Sequence, residues 1–187
     1  MVKKYKVKIK IDKKVIAVIS LAVIIFASIL IYKKLEYYFL PVTKVNYYGI
    51  LLTFRSDLKQ AKLTPVYPSD QYFGIFRNPN IRNIYICFRN TTNNSLVAVE
   101  AYEITYKLKT FYNLARVPVE IQGKNVTYYG QIKGNSTSLV IYIIPPVDAN
   151  GTYVNITNYT VYVSGTSVKN LDYATEKLLI GVLGIKP

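Results

Sequence analysis

Read from the N-terminus, the hydrophobic pattern of the chain changes several times. Residues 1–14 set Lys3, Lys4, Lys6, Lys8, Lys10, Lys13 and Lys14 among Val2, Tyr5, Val7, Ile9 and Ile11. Residues 15–32, VIAVISLAVIIFASILIY, carry no charge, and as a helix they would span about 27 Å, close to the hydrocarbon thickness of a bilayer. The pattern predicts one transmembrane helix there and a stalk over 33–44, ended by Pro41, which cannot continue a helix. Beyond it, apolar positions recur in short runs rich in Val, Ile and Tyr, separated by Asn, Gly, Thr and Pro. Strands are expected at 45–54, 83–89, 96–112, 117–121, 126–133, 138–144 and 153–164. The alternation is plainest where Tyr102, Ile104, Tyr106 and Leu108 interleave with Glu103, Thr105, Lys107 and Lys109.

Helical signals are fewer. Ser56 or Asp57 can cap DLKQAKL, Ser69-Asp70 can open a turn through Phe76, and Asn78-Pro79-Asn80 reads as a tight turn. Near the end, Asn170 or Asp172 can cap a helix that puts Leu171, Ala174, Leu178, Val182 and Ile185 on one face, weakened by Gly181 and Gly184. The expected fold class is mainly β. It comprises an N-terminal transmembrane helix, then an antiparallel β-sandwich over 45–187 with a short C-terminal helix packed on it.

Charge sets the expected orientation. The net charge is +14, of which +6 falls in residues 1–14, against only Lys33, Lys34 and Lys44 on the far side of the apolar run. This imbalance predicts a cytoplasmic N-terminus, an uncleaved signal anchor and an extracellular domain. The YKVKIKI stretch at 5–11 offers a lysine face to anionic lipid, which makes membrane lipid an expected partner. The other basic residues, among them Arg55, Arg77, Arg82, Arg89 and Arg116, are dispersed, so nucleic acid is not an expected partner. The layout also resembles archaeal pilins, which would imply a leader cut near Lys14 and a filament-forming helix, although Val15 stands where a small residue is expected.

Candidate chemistry is sparse. The chain has no histidine, its single cysteine, Cys87, lies in an apolar run, and no phosphate-binding or nucleophile motif occurs. Glu100 and Glu103, placed on a strand, would face opposite ways. No catalytic residue, metal site or cofactor is therefore expected. Seven N-x-S/T sequons stand at Asn90, Asn93, Asn125, Asn135, Asn150, Asn155 and Asn158, where random placement would give about two, so a glycoprotein is expected. Tyr67, Tyr72, Phe73, Phe76, Arg77 and Arg82 interleave aromatic and guanidinium groups and form a candidate interface.

The combined reading is a non-enzymatic structural or accessory subunit paired with envelope or membrane-complex proteins. A pilin-like filament subunit and an archaeal virion membrane protein are the alternatives. In plan it resembles archaellum stator-type proteins and the small lumenal subunits of signal peptidase, which also place a β domain beyond one helix.

Overall fold

The computed structural model describes residues 21–31, 43–90 and 94–186, and the chain divides into two compact units, Met1–Leu40 and Pro41–Pro187. In the first unit, residues 21–31 form a helix with every residue exposed. Eleven residues rise about 16 Å, roughly half the hydrocarbon thickness of a bilayer. The rest of the expected span, 15–20 and 32, lies outside the described residues, as do the basic segment 1–14 and stalk residues 33–42. Among the described residues no helix is long and apolar enough to cross a membrane. That finding corrects the expectation of a single-pass, signal-anchored membrane protein, and with it the localisation of a cytoplasmic N-terminus and an extracellular domain.

The second unit opens with a hairpin, β1 (Thr43–Tyr47) and β2 (Ile50–Phe54), where one continuous strand was expected. Tyr48 and Gly49 have φ of 49° and 86°, the left-handed backbone of a two-residue hairpin turn. Helix α1 (Leu58–Lys62) is capped as expected by Asp57, whose Oδ1 accepts from the Lys59 N–H at 2.9 Å. Strand β3 (Val66–Tyr67) and a 3-10 helix (Asp70–Arg77) lead to β4 (Asn83–Arg89). Helix α2 (Asn94–Leu114) then joins β4 to β5 (Glu120–Val126). Strands β6 (Ser138–Ile144), β7 (Tyr153–Thr157) and β8 (Thr160–Ser164) follow, and α3 (Val168–Leu183) closes the unit.

The fold is mixed α/β rather than a mainly-β sandwich. Six strands in the order β3-β7-β8-β6-β4-β5 form one sheet; β4 runs parallel to both β5 and β6, β6 to β8, and β3 to β7, with only β7–β8 antiparallel. Parallel neighbours need a long crossover, and α2 supplies it between β4 and β5. Residues 96–112 are therefore helix, not strand. Leu96, Val97, Glu100, Ile104, Lys107, Leu108 and Tyr112 are its buried positions, a 3.6-residue rhythm. Tyr102 and Tyr106 stack at 6.2 Å on its outer face, which is the helical i,i+4 relation.

Helices α2 and α3 cover one face of the sheet. There Ile84, Ile86, Leu139, Ile141, Val161 and Val163 meet Ile104, Leu108, Leu171, Ala174 and Leu178. Helix α3 is capped by Ser167, whose Oγ accepts from the Asn170 N–H at 3.1 Å, rather than by Asn170 or Asp172. Its other side buries Leu179, Ile180 and Leu183 against Leu52, Phe54 and Leu58, so the hairpin and α1 pack on α3. Gly181 has a packing use there: a Cβ at that position would stand 2.2 Å from the Phe73 ring.

Candidate functional site

The side chains with the most chemistry meet between α2, α3 and the end of β2. Arg55, just past β2, directs Nη1 to Glu100 Oε1 at 3.4 Å and to Asp172 Oδ1 at 3.5 Å, and its backbone N–H donates to Glu176 Oε1 at 3.0 Å. Lys107 pairs with Glu103 and holds its ammonium 4.4 Å from the centre of the Phe54 ring. Glu100 is pushed well above the usual carboxyl range, first by burial and then by its hydrogen bond with Asp172 and that residue's charge; the Thr175 hydroxyl and Arg55 oppose the rise. Burial raises Glu176 to about 8, with Lys107 opposing.

Two carboxyls sharing a proton can serve acid–base catalysis only where a substrate reaches them. Here Glu100, Asp172 and Glu176 are at most 2% exposed, and none of them lines the surface cavities of about 410, 370 and 240 Å³. The cluster joins three elements inside the unit. Among the described residues no group of three or more His, Cys, Asp or Glu could hold a metal ion. Cys87 is fully buried, and burial pushes its thiol up to about 11, against a small opposing effect of Lys124.

The second face of the sheet is a different surface. Register aligns Tyr67, Asn155, Tyr162, Tyr142 and Cys87 in a row across β3, β7, β8, β6 and β4. The apolar cluster on this side contains no helix residue. Loop 127–137 covers its middle: the Tyr142 hydroxyl donates to the Ile132 carbonyl and accepts from the Ile132 N–H, both at 2.7 Å. The Tyr129 hydroxyl donates to Asp148 Oδ2 at 2.8 Å, and Arg89 pairs with Asp148 at 3.3 Å, tying that loop to the carboxyl end of β4. Toward β3 and β7 the cover stops. Tyr67 is 53% exposed and meets Tyr153 edge-on at 6.3 Å, while Tyr162 stacks on Tyr142 at 5.3 Å.

The sequon asparagines are dispersed around the unit, apart from Asn93, which lies outside the described residues. Asn90 and Asn125 are exposed and line one crevice with Arg89 and Thr127 at the carboxyl ends of β4 and β5. Asn135 Oδ1 accepts from both the N–H and the hydroxyl of Thr137 at 2.9 Å, and Asn155 Oδ1 accepts from Thr157 at 3.4 Å. Asn158 takes the left-handed turn of the β7–β8 hairpin, and Asn150 is exposed beside Tyr153. The asparagine–threonine spacing thus has a local use of its own: side chains two apart share a strand face or a turn and hydrogen-bond.

The residues of the expected interface separate. Phe73 and Phe76 are buried in the core, Tyr67 lies on the open sheet face, Tyr72 is exposed on the 3-10 helix, and Arg82 donates to the Pro79 carbonyl at 2.6 Å. Arg77 is exposed at the cavity of about 410 Å³, which Phe76 also lines. Neither Tyr153 and Tyr162 nor the Arg55–Glu100–Asp172–Glu176 cluster was marked as a site from sequence. The sequence does carry one signal for the cluster: Asp172 and Glu176 stand four apart, one helical turn, in a segment expected to be helix. No family model matches the chain, and neither a curated protein nor a solved structure matches it.

Proposed function

We propose that this chain is a non-enzymatic accessory or structural subunit that binds another protein through the tyrosine-bearing face of its sheet. The observation that carries the reading is the patch of exposed Tyr67 and Thr157 with half-buried Tyr153, Asn155 and Tyr162 on one face of the sheet. The patch lies on β3 and on the antiparallel β7–β8 pair at one edge of the sheet, beyond the loop that covers the parallel strands β6 and β4, and no helix packs on it. Tyrosine favours such contacts because it brings a large rigid apolar area with one polar tip. All five side chains are uncharged, so docking there desolvates no ion. The enclosure of Glu100, Asp172 and Glu176 supports a non-catalytic role.

Photo-crosslinking tests this reading. A benzophenone amino acid placed at Tyr67 or Tyr153 should give one discrete adduct in the native source, while the same group at Tyr102, on the outer face of α2, should give none. Changing Thr157, exposed on the same face, to Glu should weaken the adduct formed from Tyr67 without lowering the melting temperature of the isolated protein. Equal adducts from both faces, or none from the sheet face, would refute it.

A further inference from the structure

The cavity between the β1–β2 hairpin, the 3-10 helix and the C-terminal ends of α2 and α3 encloses about 410 Å³, within the range of small-molecule sites, about 300–1,000 Å³. We propose that it binds a small organic anion, a single carboxylate carried on an aromatic body. Its walls are aromatic. Tyr47 and Tyr48 meet edge-to-face at 4.8 Å, Phe111 and Tyr112 at 5.0 Å, and Phe76 lies between the two pairs in sequence and lines the same space. The Tyr112 hydroxyl donates to the Phe76 carbonyl at 2.8 Å, which fixes that ring as a wall.

Arg77 supplies the charge. Its guanidinium lies against Gly184, at the end of α3, where an added Cβ would be 3.2 Å from Nη2. The ion pairs among the described residues engage Arg55, Arg89, Lys107 and Lys177, and none engages Arg77. An exposed guanidinium without a carboxylate, beside an aromatic hollow, presents a paired set of N–H donors to a ligand carboxylate. The Tyr47 phenol stands in the same field: burial and Tyr48 raise it, and Arg77 opposes them.

Backbone conformation marks the same place. Three non-glycine residues among those described have a left-handed backbone, Tyr48, Arg116 and Asn158. Asparagine tolerates that region, whereas tyrosine and arginine rarely adopt it. Tyr48 is on the cavity rim, and Arg116 is the left-handed residue that ends α2, where the Arg116 and Val117 N–H groups donate to the Asn113 and Tyr112 carbonyls at 3.1 and 3.0 Å and bring Val117 to the cavity wall. The Tyr48 ring is 83% exposed, so burial does not offset the unfavourable backbone. The two-residue hairpin turn sets this left-handed backbone, and in doing so it holds the exposed Tyr48 ring at the cavity mouth.

The full-length protein is titrated with 3-phenylpropionate by equilibrium dialysis, with the neutral 3-phenylpropanamide as comparator. Saturable one-to-one binding is expected, with the carboxylate favoured by about tenfold, the worth of one charge-assisted hydrogen-bonded pair. Arg77→Met should erase that preference and leave amide binding unchanged, and Arg77→Lys should keep part of it. Tyr48→Gly should raise the melting temperature, because glycine suits the left-handed turn, while weakening both ligands. Absence of saturable binding, a carboxylate preference that survives Arg77→Met, or unaltered binding by Tyr48→Gly would each overturn the assignment.

Discussion

Glu176→Gln gives the sharpest probe of the buried charge cluster. The wild-type carboxyl is 2% exposed, accepts from the Arg55 N–H at 3.0 Å, and has no hydrogen-bond partner for Oε2. Burial is the main reason that it is raised from 4.5 to about 8. The folded protein therefore holds a proton that the unfolded chain releases once pH exceeds 4.5. The contribution of this group to stability is fully present below pH 4.5, is lost as pH rises toward about 8, and then levels off. At about 1.4 kcal/mol per pH unit, the loss across that window amounts to about 5 kcal/mol, comparable with the whole stability of many domains. The amide oxygen of glutamine keeps the Arg55 contact and never ionises. The variant should lie within about 1 kcal/mol of wild type at pH 5 and exceed it by about 3–5 kcal/mol at pH 9. Urea unfolding of the full chain, followed by circular dichroism from pH 5 to pH 9, measures this directly. A variant destabilised equally at every pH, or one that keeps the wild-type slope, would refute the reasoning. Glu100→Gln should act in the same direction, since Glu100 is also raised by burial.

Gly181→Ala would put a Cβ 2.2 Å from the Phe73 ring and should cost about 1–3 kcal/mol by thermal melting, despite the better helix propensity of alanine. Ser167→Ala removes the hydroxyl that accepts from the Asn170 N–H, and should lower stability by about 1 kcal/mol in urea titration. Tyr112→Phe leaves the Phe76 carbonyl without its 2.8 Å donor, and the same titration should show a loss of about 1–2 kcal/mol.

Strands β4 and β6 were read to the residue because Asn83–Arg89 and Ser138–Ile144 are short apolar runs with turn residues on both sides. The Asp57 cap and the turn at Asn78 were legible for the same reason, since each depends on neighbours in sequence. Helix α2 was not. Its buried stripe includes Glu100 and Lys107, and those charges break the apolar rhythm that marks a helix. What remained visible was the alternation of Tyr102, Ile104, Tyr106 and Leu108, which counts two outward-facing tyrosines as if they were core. The error carried into the fold, because without α2 there is no crossover and parallel pairing cannot be inferred.

The same residues hid the charge cluster. On a strand Glu100 and Glu103 diverge, whereas on a helix Glu100 faces Asp172 of α3, and Glu103 reaches Lys107 one turn on. The open tyrosine face likewise follows from register, which aligns Tyr67, Asn155 and Tyr162 from three separate strands. The sequence by itself determined some local features: the β4 and β6 runs, the Asp57 cap, the turn at Asn78 and the lack of any histidine; the strands expected at 117–121 and 126–133 are instead one strand over Glu120–Val126, and the cap of α3 is Ser167. Only the tertiary structure decided which charges are buried together and which face of the sheet stays open. Both depend on contacts between residues such as Arg55 and Glu176, 121 positions apart, and no local pattern encodes the desolvation and pairing of such groups.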